Sequence, residues 1–94
     1  MEITRTETEN KGAAIATKEG KKAGEMTYSK ASASLIIIDH TEVDQAFKGQ
    51  GVGKKLLYDL VDMARQKKVQ IIPLCPFAKA MFNRHEELQD VLKK

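Results

Sequence analysis

The hydrophobic period of this chain changes from strand-like to helical at three glycines at alternate positions. Before them, apolar residues alternate or run together, as in strands. After them, Gly53, Leu56, Leu57, Leu60, Val61 and Ala64 fall at i, i+3, i+4, i+7, i+8 and i+11, a single helical stripe. The junction reads Lys48-Gly49-Gln50-Gly51-Val52-Gly53-Lys54-Lys55. Glycine admits positive φ and lets a backbone come close to a ligand. The first amides of the following helix lack partners within it and carry its partial positive end. Strand, glycine turn and helix start in that order make an anion site, most naturally one for phosphate.

The spacing excludes two common phosphate loops. A Walker A loop ends in Gly-Lys-Ser/Thr, but Gly53-Lys54 is followed by Lys55, so the magnesium-binding hydroxyl is missing. The dinucleotide fingerprint runs Gly-x-Gly-x-x-Gly, whereas Gly49, Gly51 and Gly53 run Gly-x-Gly-x-Gly.

Around the loop the chain reads as alternating β and then α. Met1–Glu9 is an edge strand, which offers an unpaired edge for a homodimer, and Asn10–Gly12 is a turn. Ala13–Lys18 is a strand, and Glu19–Lys22 a hairpin loop. Gly24–Lys30 alternates, with Met26 and Tyr28 on one face and Glu25, Thr27 and Ser29 on the other. Ala31–Ser34 is a turn of small residues. Leu35–Ile38 is wholly apolar, which predicts a central strand covered on both faces and continuing to Val43. The helix runs from Gly51 to about Gln66–Lys68, with Gly53 where it should come closest to the sheet. Val69–Leu74 is a further strand, reached by a right-handed parallel crossover. Pro76 suits the first position of a helix over Phe77–Arg84, and His85–Leu92 continues it or forms a second turn. The expected fold is α/β, one domain over 1–94. Its mixed sheet is an antiparallel meander, then a strand–helix–strand parallel crossover, then a C-terminal helix.

Composition narrows the function. At 94 residues, 41% apolar and 31% charged, the chain has the make-up of an ordinary globule. No apolar run reaches the length of a membrane span, and no signal-peptide core is present. The single cysteine, Cys75, cannot form an internal disulfide, which fits a reducing cytoplasm. The net charge of +3 suits an anionic cofactor. Aromatics are only 5% and are not interleaved with the basic residues, which argues against nucleic acid. No residues have metal-ligand spacing. Cys75 falls at a strand end and helix start, where thiolate is favoured in general, although a lone cysteine is more often a small buried hydrophobe. His40 is a candidate base that also reads as a solvent-facing strand residue.

The loop resembles the pyrophosphate loop of the GNAT acetyltransferases, Arg/Gln-x-x-Gly-x-Gly/Ala, with Lys48, Gly51 and Gly53 at its defining positions. Lysine keeps the charge but lacks arginine's planar fork. With His40-Thr41-Glu42-Val43 and Ile72-Pro73-Leu74-Cys75-Pro76-Phe77-Ala78, the chain from Gly12 onward is similar to very small, single-domain GNAT-like proteins. The resemblance implies that acetyl-CoA lies in a wedge between the strands ending at Val43 and Leu74. Backbone from Thr41 to Val43 would pair with pantetheine. Amides across Gly49, Gln50, Gly51, Val52 and Gly53 would hold the pyrophosphate, with Lys48, Lys54 or Lys55 adding charge. Phe77, Ala78 and Phe82 would touch the pantetheine arm or adenosine. Met81 and Phe82 stand where larger GNAT enzymes often carry a tyrosine acid; Tyr28 and Tyr58 lie elsewhere. The expected activity is transfer of acetyl from acetyl-CoA to an amine, on a small molecule or a protein. It would proceed by direct attack with His40 or Glu42 as base, or through a Cys75 thioester. A non-catalytic CoA-binding module or sensor is the alternative.

Overall fold

The computed structural model describes residues 1–94. Strands β1 (Glu2–Glu7), β2 (Lys11–Lys18), β3 (Lys21–Ser32) and β4 (Leu35–Val43) form an antiparallel meander. Helix α1 (Val52–Lys67) then crosses over and returns the chain as β5 (Gln70–Pro73), parallel to β4. The sheet order is β1-β2-β3-β4-β5, the mixed α/β sheet that the sequence leads one to expect.

Several boundaries differ from expectation, each for a local reason. The β2–β3 hairpin turns on Glu19 and Gly20 alone, because Lys21 and Lys22 pair with Lys18 and Thr17. Lys11 and Gly12 already belong to β2, and Ala31 and Ser32 to β3. Helix α1 ends at Lys68 in the left-handed region, and the Val69 amide donates to Ala64 O, so β5 begins one residue later. The apolar run Leu35–Ile38 is not covered on both faces. Ile36 and Ile38 are buried, while Leu35 and Ile37 are half-buried.

Helix α1 covers one face of the sheet. Its stripe of Val52, Leu56, Leu57, Leu60, Val61 and Ala64 is buried against Ala14, Ala16, Met26, Tyr28, Ile36 and Ile38. Each buried leucine contributes about 1.5–3 kcal/mol. Leu60→Ala should therefore lower stability by about 2–5 kcal/mol, read as a lower urea midpoint. A Cβ on Gly24 would meet Glu42 O and Val52 Cγ1 at 2.8 Å each, so α1 lies closest to the sheet there. Gly53 instead faces α2 (Pro76–Arg84), which corrects its expected place against the sheet. After α2 the chain forms a 3-10 turn over Glu86–Val91, burying Leu88 and Val91. The Lys93 amide then donates to Ile71 O on the far side of β5.

One irregularity shapes the uncovered face. Thr27 pairs with His40, but Tyr28 pairs with Ile38, so β4 carries Asp39 as an extra residue. Such a bulge breaks the alternation of side chains. Ile36 and Ile38 face α1, and beyond the bulge Thr41 and Val43 take that side, with Thr41 opposite buried Met26. Asp39 and His40 both fall on the face that no helix covers.

Candidate acetyl-CoA site

Beyond β4 the chain is held before it turns. Asp44 Oδ1 accepts from the Ala46 amide at 2.9 Å, starting a 3-10 turn over Gln45–Phe47, and the Asp44 amide donates to Ala23 O at 2.8 Å. Gly49 and Gly51 then take φ of +83° and +73°, conformations that cost other residues about 1–2 kcal/mol. Gly51 is the N-cap of α1, and with no side chain it makes no cap bond. The Lys55 amide donates to Gly51 O, so the amides of Val52, Gly53 and Lys54 precede the first helical bond. The first turn holds no acidic residue to occupy them.

These amides open onto a groove of about 260 Å³. Thr41 and Val43 form one wall, Lys48, Gly49, Gly51, Val52, Gly53 and Lys54 the end, and Phe77 with Met81 the other wall. Phe47 also lines it; an aromatic in a loop gave no periodic signal by which sequence could place it. The groove follows from strand separation. Leu74 and Cys75 amides both donate to Ile38 O, at 3.1 and 3.2 Å, and beyond that point β4 and β5 no longer pair. Behind the groove Cys75 is buried as N-cap of α2 and does not itself line it; its thiol donates at 3.2 Å to Oγ1 of Thr41, which does.

The remaining predicted residues fall elsewhere. Gln50 and Lys55 are exposed, and Gln50 Oε1 accepts from Lys18 Nζ at 3.2 Å. Ala78 and Phe82 are fully buried, so they support the groove wall from within the core instead of lining it. Lys54 Nζ lies 5.6 Å from the Tyr58 ring centroid, a cation–π distance, turned along the helix. Glu42 lines a shallow recess with Lys22, Gly24 and Glu25, and His40 lines a cleft on the uncovered face. Neither lines the groove.

Both tyrosines are committed. Tyr28 OH donates to Glu7 Oε2 at 2.7 Å, and burial, reinforced by that carboxylate, pushes its pKa up. In return the Tyr28 bond, then the Lys30 amine, holds Glu7 below the usual carboxylate range. Tyr58 OH donates to Glu87 Oε2 at 3.1 Å. No group of three His, Cys, Asp or Glu side chains is placed to hold a metal.

A glycine loop at a helix start thus closes a wedge between parallel strands that part beyond Ile38. The family model for GCN5-related N-acetyltransferases matches residues 13–91, and the chain belongs to that family. A GCN5-like N-acetyltransferase-family protein of Staphylococcus aureus, solved by NMR, is 41% identical, with a TM-score of 0.73 over 98% of this chain and 87% of its own. The ribosomal-protein-S18-alanine N-acetyltransferase of Escherichia coli shares the fold at 20% identity (TM-score 0.70, 83% of this chain, 53% of its own). A streptothricin acetyltransferase-like protein of Bacillus anthracis, crystallised with acetyl coenzyme A, shares it at 21% identity (TM-score 0.63, 86% of this chain, 47% of its own). This chain thus spans about half the length of those two larger proteins. A search of curated proteins gives no match.

Proposed function

We propose that this chain, acting as one domain, binds acetyl-CoA in the wedge and transfers its acetyl group to an amine. The observation that carries the reading is the groove running from the free amides of Val52–Lys54 to Val43 and Thr41, with the buried Cys75 thiol hydrogen-bonded to Thr41 behind it. The amides and Lys48 take the pyrophosphate, and the unpaired β4 backbone takes the pantetheine. The acceptor nitrogen attacks the thioester carbonyl, the C–S bond breaks, and CoA leaves as thiolate. The proton lost by nitrogen passes to His40 on the open face or to water. In the second route the Cys75 thiolate takes the acetyl first, releasing CoA, and the amine then displaces it. A free thiol of this kind belongs in a reducing compartment such as cytoplasm.

Incubation with radiolabelled acetyl-CoA, followed by denaturation, separates the routes. Label retained by the native sequence and absent from Cys75→Ser supports the thioester. CoA release with added amines at equal rates in both proteins supports direct attack. The committed hydroxyls of Tyr28 and Tyr58 favour a second reading, a CoA-binding module, because no tyrosine lines the groove to protonate the leaving thiolate. That reading expects tight acetyl-CoA binding without CoA release for any amine.

A further inference from the structure

The largest concavity is not the groove. It is a cleft of about 670 Å³ on the face of the sheet opposite α1, within the size range of small-molecule sites. Pairing registers explain its lining. Thr6, Ala13, Thr27 and His40 stand opposite one another across four strands, forming one row of side chains on the uncovered face. The next row brings Ser29, whose hydroxyl donates to Asp39 Oδ2 at 2.6 Å. The β4 bulge lets Asp39 and His40, adjacent in sequence, both face this cleft, and Leu74 closes its end.

Asp39 is half-buried, yet its carboxylate makes no ion pair, unlike those of Glu7, Glu25, Asp59 and Asp90. One serine satisfies only part of a carboxylate that accepts several bonds. Asp39 also directly follows Ile38, whose carbonyl takes the Leu74 and Cys75 amides where the strands part. The cleft therefore abuts the apex of the groove from the other side of the sheet.

Building on the proposed acetyl transfer, we propose that the cleft binds the acceptor, and that the acceptor is a small diamine. One amino group sits on Asp39 as an ammonium. An ammonium has no lone pair for attack, so the nucleophile is a second amino group, delivered past Leu74 toward the thioester. Hydroxyls of Thr6, Thr27 and Ser29 take its remaining N–H donors. A flat peptide chain would use little of the recessed carboxylate, which favours a compact ligand.

The test is titration of the ¹⁵N-labelled, CoA-saturated protein with putrescine, and with n-butylamine as the monoamine control. Putrescine should shift the amides of Thr27, Ser29, Asp39 and His40 together. n-Butylamine should bind several-fold more weakly. Asp39→Asn should weaken putrescine about tenfold, the loss of one charge-assisted hydrogen bond. Ser29→Ala serves as a second, gentler variant, with a smaller loss. Both variants should keep the native melting shift on adding acetyl-CoA. Equal binding of the two amines, shifts outside the cleft, or indifference to Asp39→Asn overturns the diamine site while leaving acetyl-CoA binding intact. Putrescine binding in the cleft without any acetyl-CoA binding would sink the transfer reaction and keep the site.

Discussion

Two concavities meet at the end of β4 from opposite faces of the sheet, and they are made of different material. The α1-side groove sets backbone, namely unpaired amides, a splayed strand edge and glycines at Gly49, Gly51 and Gly53, against an apolar wall of Phe47, Phe77 and Met81. The uncovered-face cleft is made of side chains, with Asp39, His40, Thr27 and Ser29 brought together by one inserted residue. A backbone site suits a ligand common to many reactions, since any sequence with the right glycines can build it. A side-chain site is where one chain can choose its own acceptor.

The largest effect that separates the two comes from Gly51→Val. A branched residue at φ +73° is strained by about 1–2 kcal/mol and disturbs the helix start. Losing about two charge-assisted bonds to pyrophosphate should weaken acetyl-CoA about a hundredfold by calorimetry. Putrescine binding in the cleft should stay within twofold, and a parallel loss of both would show the two regions to be one. Gly53→Ala is the sharper probe. Its Cβ would stand 2.7 Å from Phe77 Cζ, so the partly exposed ring, which lines the groove, must shift. Stability should fall by about 1 kcal/mol, while acetyl-CoA affinity falls about tenfold. Unchanged affinity would remove Phe77 from the cofactor wall.

The smallest effect lies at the edge of the cleft, where Glu7 is one of the lining residues. Tyr28 and Lys30 hold the Glu7 carboxyl below its usual range, so its contribution is complete above the unfolded carboxylate pKa of about 4.3. It fades as pH falls through the lower folded value. Glu7→Gln should lower Tm at pH 7, and the gap should narrow as the pH falls below the unfolded carboxylate range. Acetyl-CoA should bind as before at neutral pH. A gap that persists in acid would mean that packing of the Tyr28 ring over Gly12, not the charge, matters there.

The groove was legible in sequence because its parts are periodic or chemically singular. The change of period at Gly49–Gly53 placed the helix start, and Pro76 after Cys75 placed the second one. The strands from Leu35 to Val43 and around Ile71 followed from β-branched runs. The bulge at Asp39 was not legible, because Asp39-His40-Thr41-Glu42 alternates as well with an extra residue as without one. Only the pairing of Thr27 with His40 and Tyr28 with Ile38 reveals it. His40 and Thr41 face opposite sides of the sheet, as strand alternation leads one to expect, whereas Asp39 and His40 share one side, which alternation does not. Ala78 and Phe82 were read as cofactor contacts because an apolar residue beside a motif carries no sign of whether it faces core or ligand.

The central claim is acetyl-CoA in the wedge, and thermal melting tests it most directly. Acetyl-CoA at a hundred times its dissociation constant adds about 2.7 kcal/mol. For a chain of this size that should raise Tm by roughly 10 °C or more, with ADP giving a much smaller rise. No rise with acetyl-CoA, or an equal rise with ADP, would contradict the placement of pantetheine and thioester between β4 and β5.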